Sequence, residues 1–305
     1  MFYSPLRYPG GKNKLSAFIA KICIDNNIKG HYIEPYAGGA SVALFLLFEN
    51  FVERVTINDK DKSIFAFWYS VLNYTDQLCE MIEETEITIE EWKKQKNIQK
   101  VKEQVNLLEL GFSTLFLNRT NRSGIINAGV IGGIEQKGKY KINCRFNKKE
   151  IIRRIKLIAS KKDNIRLFNL DAIDLIELIK KESNNSQSLF YFDPPYYLKG
   201  SSLYMNNYNK NEHEIISRKI QSIRNIKWIV SYDNVNEIKT LYRKYPSKEF
   251  SFKHTAYIIR EGKEILFFSK DIKQPEINNW NPLGFKYIKR KTTANIVYEQ
   301  GRVKC

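Results

Sequence analysis

Short apolar segments that alternate with helical patterns constrain the fold of this chain more than any other feature. The predicted core strands span 31–35, 54–59, 165–169, 189–193 and 228–232. Each is followed by a segment with helical periodicity, and a last strand at 264–269 is expected to pair with 250–254. Strands of this kind that alternate with helices predict a parallel α/β sheet with helices on both faces.

The stretch between the second and third strands does not show this alternation of strands and helices. Residues 75–110 read as helices rich in Glu, Lys and Gln, whereas 111–147 carry glycines, arginines and asparagines with little periodicity. Long irregular segments in compact proteins are usually functional or disordered. The predicted boundaries are 1–75 with 161–275 for the core domain, 76–160 for an insert, and 276–305 for a basic tail of unknown role.

The charge of the chain narrows the class of its partner. Fifty Lys and Arg against 33 Asp and Glu give a formal charge of +17. Because every phosphate that Lys or Arg neutralises releases counterions, this excess favours a polyanion. Charge alone leaves open the alternative of a merely basic soluble protein.

The cysteines and apolar segments indicate the compartment. Cys23, Cys79, Cys144 and Cys305 are far apart and show no CxxC or Cys/His spacing, so neither a zinc site nor a disulfide framework is predicted. No signal peptide is visible, and the longest apolar stretch, 40–48, is too short to span a bilayer. We expect a cytoplasmic protein without a metal or a membrane partner.

The segment with the most chemical content is an apolar strand that runs directly into Asp193-Pro194-Pro195-Tyr196. Ligands of open α/β sheets bind beyond the carboxyl ends of strands. Since the prolines fix the backbone and lack N–H donors, the Asp193 carboxylate and the Pro194 carbonyl are expected to form a rigid row of acceptors beside the Tyr196 ring. For this tetrapeptide alone, a Pro-rich turn without function is the alternative.

An exocyclic amine suits these acceptors. The lone pair of adenine N6 is delocalised into the ring, and two acceptors on its hydrogens draw the nitrogen towards sp3 geometry for in-line attack on a sulfonium methyl. This is catalysis by orientation and preorganised electrostatics. Tyr196 can then stack on a base rotated out of the duplex. The sequence thus predicts direct methyl transfer to an amine.

Two Gly-rich or acidic segments are candidate ligand contacts. In HYIEPYAGGAS a strand ends near Glu34, and the turn Ala37-Gly38-Gly39 opens a helix whose N-terminus favours a negative group. Asp59 ends the second strand, where an acid commonly accepts hydrogen bonds from ribose hydroxyls. The alternatives are a plain turn for the first segment and a helix N-cap for Asp59.

The N-terminal segment PLRYPGGK is a third candidate. Tyr8, Gly10, Gly11 and Lys12 precede a helix and can form an adenosine or carboxylate site, with a surface turn as the alternative. Neither the dinucleotide pattern GxGxxG nor the P-loop pattern is present.

The insert contains the polar segment LNRTNRSG, with Asn118, Arg119, Asn121 and Arg122. Arg reads guanine and Asn reads adenine in the major groove through bidentate contacts. A solvated loop is the alternative for any one of these residues. Together with the charge of the chain, the segment is a predicted DNA-reading element.

Taken in order, these segments resemble the Dam-like, alpha-group (D12 class) adenine-N6 DNA methyltransferases, from about residue 5 to 269. PLRYPGGK is similar to the family's N-terminal cofactor motif, YIEPYAGGASV to its Gly-rich motif, IND to its ribose-binding motif and FDPPYY to its catalytic motif. The insert before DPPY is the alpha arrangement. The resemblance implies a Rossmann-like class I methyltransferase fold, S-adenosylmethionine as cofactor and double-stranded DNA as substrate.

The resemblance also implies residue roles. The residues implied in cofactor binding are Tyr8, Gly10, Gly11, Lys12, Glu34, Ala37, Gly38, Gly39, Asp59, Asp171 and Asp193. Asp193 to Tyr196 would hold the target base, and Arg119 and Asn121 fall in the region used against DNA. The second half of the insert is closer to restriction-modification relatives than to GATC-reading enzymes. A monomer with a possible cognate restriction endonuclease is expected, and a solitary or phage enzyme stays open.

Other classes are weighed against this interpretation. A cytosine-C5 enzyme needs a Pro-Cys nucleophile, and no cysteine here follows a proline. An N4-cytosine enzyme uses the same amine chemistry and is the closest rival. Protein-glutamine and RNA N-methyltransferases, a non-catalytic DNA-binding module and a dinucleotide oxidoreductase are the remaining alternatives.

Overall fold

The computed structural model describes residues 2–7, 12–182, 187–198, 208–254, 260–276, 280–289 and 294–299. The helices are α1 (Ser16–Asp25), α2 (Ser41–Phe48), α3 (Lys62–Asn73), α4 (Thr75–Glu84), α5 (Ile89–Lys100), α6 (Leu107–Thr120), α7 (Lys148–Ala159), α8 (Ala172–Lys181), α9 (Lys210–Gln221) and α10 (Asn236–Leu241). The strands are β1 (His31–Glu34), β2 (Arg54–Asn58), β3 (Ile165–Phe168), β4 (Ser188–Phe192), β5 (Lys227–Asp233), β6 (Ser247–His254), β7 (Arg260–Phe268), β8 (Phe285–Lys289) and β9 (Ala294–Tyr298).

Seven of these strands form one sheet in the order β3-β2-β1-β4-β5-β7-β6. β1 pairs with β4 and β4 with β5 in parallel, whereas β7 lies antiparallel between β5 and β6. The predicted α/β sheet is therefore confirmed, and the expected pairing of the last two core strands is present. Because β7 runs against β5, the early residues of β7 meet the carboxyl end of β5, where Asp233 opposes Glu264.

The central strand β4 shows why the chain forms this sheet. All five residues of its sequence SLFYF are buried, as expected for a parallel strand that is covered on both faces. Phe190 and Phe192 point to the same face because strand side chains alternate, and their rings stack at 5.2 Å. Each such ring contributes about 1.5–3 kcal/mol by leaving water. Burial of these side chains holds β4 in the sheet, and Asp193 follows directly at the end of this strand.

The chain divides into two compact units. Unit 1 comprises Met1–Gly11, Ala37–Ala40 and Ile57–Asp171, and unit 2 comprises Lys12–Tyr36, Ser41–Thr56 and Ala172–Cys305. Within unit 1, α3 and α6 are in very close contact, since a Cβ on Gly111 would lie 2.4 Å from Ser70 Oγ. This contact places the predicted insert in one unit with α3.

One expectation about the insert was wrong. Residues 111–147 read as irregular, but their first ten residues belong to α6, which begins after the N-cap Asn106. Every α6 residue from Leu110 to Thr120 is buried. A helix that is buried on all sides has no polar face, so its sequence lacks the contrast on which a periodicity argument depends.

The C-terminal segment, for which no role was predicted, contains a β-hairpin formed by β8 and β9. Phe285 packs against Phe18 of α1 with ring centroids 5.5 Å apart. Tyr287 donates a hydrogen bond of 2.5 Å to Glu49 Oε2, and Lys289 pairs with the same oxygen at 2.9 Å. Within the described residues, no helix is both long enough and apolar enough to cross a bilayer.

Candidate active site

A group of polar side chains in unit 2 surrounds the end of β4. We call Lys12, Asp193, Tyr196, Ser231 and Glu264 the catalytic cluster. Lys12 Nζ lies 3.1 Å from Asp193 Oδ1, 3.1 Å from Glu264 Oε1 and 3.0 Å from the Tyr196 hydroxyl. The structure therefore brings together Lys12, Asp193 and Tyr196, which sequence motifs far apart in the chain had nominated.

Burial makes the electrostatics of this cluster strong. The side chains of Lys12, Asp193 and Glu264 are 9%, 21% and 4% exposed. Burial alone would lower the pKa of Lys12, but the two carboxylates outweigh it and hold that pKa well above its usual value. Burial raises the pKa of Asp193 against the opposing effect of Lys12. With one ammonium and two carboxylates, the ionised cluster has a formal charge of −1.

Asp193 is held in a defined orientation. Its Oδ1 accepts a hydrogen bond of 2.6 Å from Ser231 Oγ in addition to the contact with Lys12. This follows from the register, because Phe192 opposes Val230 on the neighbouring parallel strand and the next residues are Asp193 and Ser231. No donor among the described residues contacts Oδ2, so one oxygen is fixed and the other can accept a hydrogen bond from a ligand.

Tyr196 is more enclosed than the sequence suggested. The residue is only 7% exposed, and its hydroxyl donates a short hydrogen bond to Glu264 Oε1. Lys12 Nζ lies 5.1 Å from the ring centroid and 3.0 Å from the hydroxyl oxygen, so the ammonium is at the hydroxyl end of the ring. A base can stack on this ring only if Tyr196 becomes more exposed than it is here.

The backbone after Tyr196 is anchored to the end of β5. Asp233 accepts hydrogen bonds from the backbone N–H groups of Tyr197 and Leu198 at 2.9 and 3.1 Å. His213 packs on the Tyr197 ring at 5.1 Å and hydrogen bonds through Nδ1 to Tyr232. Together with buried Pro194, these contacts hold the loop that carries the proposed acceptors.

The Gly-rich turn and Asp59 form a second cluster, in unit 1. Gly38 N–H donates to Asp59 Oδ2 at 3.0 Å, and Ala37 N–H donates to the carbonyl of Asn58 at 2.8 Å. Trp68 Nε1 fixes the turn by donating to the Gly38 carbonyl at 2.9 Å. Gly38 has φ +46°, a left-handed conformation that glycine adopts without strain. Gly39 is buried within this turn.

Asp59 does not cap the helix that follows it. The N-cap of α3 is Asp61, whose side chain accepts from Ser63 N–H. Asp59 Oδ1 instead accepts from Asp61 N–H at 2.9 Å. Burial, followed by the charge of Asp61, raises the pKa of Asp59 to about 7. A partly buried carboxylate for which the described residues supply no ion-paired cation is suited to accept hydrogen bonds from hydroxyls.

Glu34 and Asp171 have different surroundings. Glu34 Oε1 accepts from the Tyr32 hydroxyl at 2.9 Å and from Ala43 N–H at 3.2 Å, and burial raises its pKa to about 8. Asp171 is partly exposed and pairs with Lys60 at 2.9 Å. Its loop is held to the end of β2 by Asn58, which exchanges two hydrogen bonds with the backbone of Leu170.

The four predicted DNA-reading residues differ in their accessibility. Asn118 is buried and bonds to the backbone of Arg7 and Gly124, and Asn121 is buried and bonds to Ile125, Ile126 and Trp92. Their amides organise the loop after α6, which does not support direct contact with bases. Arg119 is also largely buried, whereas Arg122 is exposed. Tyr8, Gly10 and Gly11 lie outside the described residues.

Sequence reasoning missed two members of the catalytic cluster. Glu264 is an acid that directly precedes the buried apolar residues 265–268 of β7. This placement is the sequence signal that could have identified it as a site residue. Ser231 gave no comparable signal, because a small hydroxyl residue within a strand is common and its role depends on the register with β4.

The model of the D12 class N6 adenine-specific DNA methyltransferases matches residues 8–258, which is more than half of the chain. The chain belongs to this family. The Type II methyltransferase M.MjaIII of Methanocaldococcus jannaschii is 26% identical to this D12 methyltransferase over 206 residues, covering 63% of the present chain and 68% of that protein.

Two solved structures are similar at low identity. A SAM-dependent methyltransferase from Agrobacterium tumefaciens gives a TM-score of 0.37 at 9% identity over 83% of this chain, which spans 60% of that protein's length. The rRNA methyltransferase aviRa from Streptomyces viridochromogenes gives a TM-score of 0.34 at 9% identity and 86% coverage of each chain.

The methyl donor of this family is S-adenosylmethionine, which carries a positive sulfonium. The catalytic cluster fits such a group, because its two carboxylates exceed its one ammonium by a full negative charge in a buried environment. Asp59, a partly buried carboxylate next to the Gly38 N–H, fits a ligand with hydroxyl groups.

Proposed function

We propose that this D12 methyltransferase methylates N6 of an adenine that is rotated out of duplex DNA. Asp193 Oδ2 and the Pro194 carbonyl would accept the two N6 hydrogens, and the Tyr196 ring would stack on the base. The observation that carries this proposal is the clamped state of Asp193. Lys12 and Ser231 hold Oδ1, while Oδ2 has no donor among the described residues.

The reaction needs positioning rather than a covalent enzyme intermediate. Transfer forms the N6–C bond and breaks the S–C bond, whose electron pair stays on sulfur. N6 then loses one hydrogen as a proton, which the Asp193 carboxylate can accept, and burial of this group supports such a role by raising its pKa. The rigid acceptors align the nitrogen, and the closely spaced charges are effective because the cluster is buried.

The remaining cofactor contacts are part of the proposal. Glu34, Ala37, Gly38, Gly39 and Asp59 would hold S-adenosylmethionine. Asp59, whose oxygens already accept backbone N–H groups, would accept from ribose hydroxyls. Tyr8, Gly10, Gly11, Lys12 and Asp171 complete the proposed set.

A restriction-modification role is supported by the similarity of the chain to the Type II methyltransferase of Methanocaldococcus jannaschii. We therefore propose a cognate restriction endonuclease as a partner in the cell. The monomeric state and the cytoplasmic location are proposals that rest on the sequence.

Asp193→Asn tests the catalytic part of the proposal. The amide places a donor where an acceptor is required, and Lys12 keeps Glu264 as an ion partner, so folding should survive. Tritium transfer from labelled S-adenosylmethionine to unmethylated genomic DNA, followed by nucleoside analysis, should show N6-methyladenine for the wild type. We expect a loss in kcat of about 10²–10³-fold for the variant, as for other preorganised polar groups.

The exposed Asp174→Asn on α8 is the matched control and should keep wild-type activity. Label in N4-methylcytosine would replace adenine as the target and keep the mechanism. Full activity of Asp193→Asn would refute the role given to this carboxylate.

A further inference from the structure

Among the residues that the structure describes, Arg119 has no acidic hydrogen-bond partner. The residue lies in the last turn of α6, is 8% exposed, and its buried Nε makes no hydrogen bond within the described part of the chain. A buried guanidinium without a partner is costly, and such a group is normally paired with an anion. Its surroundings should therefore indicate which class of anion it binds.

The surroundings of Arg119 are themselves positive. Arg7, Arg145 and Arg154 all act on it electrostatically, and after burial their charges lower the pKa of Arg119 to about 10. Glu150 is the acid that opposes them. That carboxylate already binds Arg153 and Arg154 at 2.7–2.9 Å. The acid that acts on Arg119 is thus already bonded to two other guanidinium groups, those of Arg153 and Arg154.

The fold holds this repulsive arrangement together. Asn118 Oδ1 accepts from Arg7 N–H at 2.7 Å, and Asn118 Nδ2 donates to the Arg7 carbonyl at 2.9 Å. Arg154 Nη1 donates to the Ser4 carbonyl at 2.9 Å. Gly124, at φ +78°, lies so close to Arg7 that a Cβ would be 2.1 Å from its carbonyl oxygen. These contacts fix the backbone of Arg7 and the guanidinium of Arg154 next to the end of α6.

We propose that Arg7, Arg119, Arg145 and Arg154 bind a phosphodiester group of the DNA backbone. Arg7 is exposed and Arg145 and Arg154 are partly exposed, so an anion can approach from solvent. Guanidinium groups match phosphate oxygens in a bidentate manner. The inference rests on the proposed function for DNA as the source of the phosphate. It changes the role of Arg119 from base reading to positioning of the duplex.

The salt dependence of duplex binding tests this site without methyl transfer. Each phosphate contact contributes about 0.9 to the slope of log K against log salt concentration. Arg119→Gln should lower that slope by about 1 on both cognate and random duplexes, raise the KM for DNA and leave the sequence preference unchanged. Arg153→Gln, on the same helix as Arg154 but 60% exposed and paired with Glu150, should keep the wild-type slope.

A second variant protects the test from a folding defect. Arg145 is partly exposed, so Arg145→Gln should fold normally and also reduce the slope. Unchanged slopes for both variants, with only a lower melting temperature for Arg119→Gln, would overturn the proposal in favour of a structural arginine. A changed base preference at one position would also overturn it, since Arg119 would then read a base.

Titration with inorganic phosphate distinguishes a site for the DNA backbone from a site for free phosphate. If phosphate at millimolar concentration stabilises the wild type but Arg119→Gln leaves DNA binding unchanged, the site binds free phosphate and the DNA assignment is wrong. If the salt slope falls as expected but no tritium is transferred to DNA, the phosphate site is supported. The proposed methyl transfer is then refuted independently of it.

Discussion

Replacement of Glu264 by Gln probes how the catalytic cluster is held. Gln has the same shape and keeps an oxygen that can accept from the Tyr196 hydroxyl and from Lys12. It removes one negative charge from a side chain that is 4% exposed and contacts Lys12 at 3.1 Å. Asp193 still neutralises Lys12, so the variant contains no unpaired buried charge.

The expected magnitude follows from the two contacts that become neutral. Hydrogen bonds that involve a charged group contribute about 1.5–3 kcal/mol, and neutral ones about 0.5–1.5 kcal/mol. Lys12 stays charged, so the contacts of residue 264 with Lys12 and with the Tyr196 hydroxyl weaken but are not lost. We expect these two contacts to lose about 1–3 kcal/mol of interaction free energy in total. Expressed in kcat/KM, this corresponds to roughly 5–150-fold. Loss of the negative excess should also raise the KM for S-adenosylmethionine, with the KM for DNA unchanged.

Steady-state tritium transfer at varied cofactor and DNA concentrations measures this split, and chemical denaturation reports stability. Glu249→Gln is the matched control, because Glu249 lies on the adjacent strand β6 but its side chain is 54% exposed and pairs with Lys239. Wild-type kcat and cofactor KM in Glu264→Gln would refute the reasoning. A loss of stability without a change in the kinetic constants would assign Glu264 a purely structural role.

Two further predictions concern carboxyl groups with raised pKa values. Asp59 has a pKa of about 7, so its hydrogen bonds to ribose hydroxyls should strengthen as it ionises between pH 6 and 8. Asp59→Asn should weaken S-adenosylmethionine binding about 10–100-fold at pH 8 and remove this pH dependence in calorimetry, since charged hydrogen bonds contribute about 1.5–3 kcal/mol; equal affinity in both proteins would contradict it. Glu34 has a pKa of about 8 in the folded protein against 4.5 ordinarily, so the folded state binds its proton more tightly, and its stabilising contribution is lost as the pH rises from about 4.5 to 8. Glu34→Gln should flatten the pH dependence of the denaturation midpoint over this window, and an unchanged profile would show that Glu34 does not titrate there.

The fold was largely predictable because the core strands carry strong local signals. Runs such as the SLFYF of β4 are apolar throughout, and the turns after them contain Gly, Pro and Asp. Prediction failed for α6, where burial on every side removes the polar face that marks a surface helix. The hairpin of β8 and β9 was also missed. Its attachment depends on contacts with Phe18 and Glu49, which are distant in the chain.

The candidate site was predictable in part for a related reason. Asp193 and Lys12 belong to contiguous motifs, so their chemistry is visible in the order of residues. Glu264 and Ser231 act through the register of β5 with β7 and β4, which no local pattern encodes. Asn118 and Asn121 show the opposite limitation. Residue type suggested base reading, but hydrogen bonds to the backbone already occupy both amides.

The close approach of α6 to α3 has a consequence for engineering. A Cβ at position 111 would be 2.6 Å from the Ala66 carbonyl oxygen as well as near Ser70, so even alanine would push the two helices apart. Arg119 lies two turns further along α6 and would shift with it. Small steric changes at position 111 should therefore alter the affinity of the proposed anion site for its ligand. This site comprises Arg7, Arg119, Arg145 and Arg154, and none of these charged residues would be replaced. Selections for variants with altered duplex affinity should therefore recover substitutions in the contact between α3 and α6. The pattern of surface charge would not point to these positions.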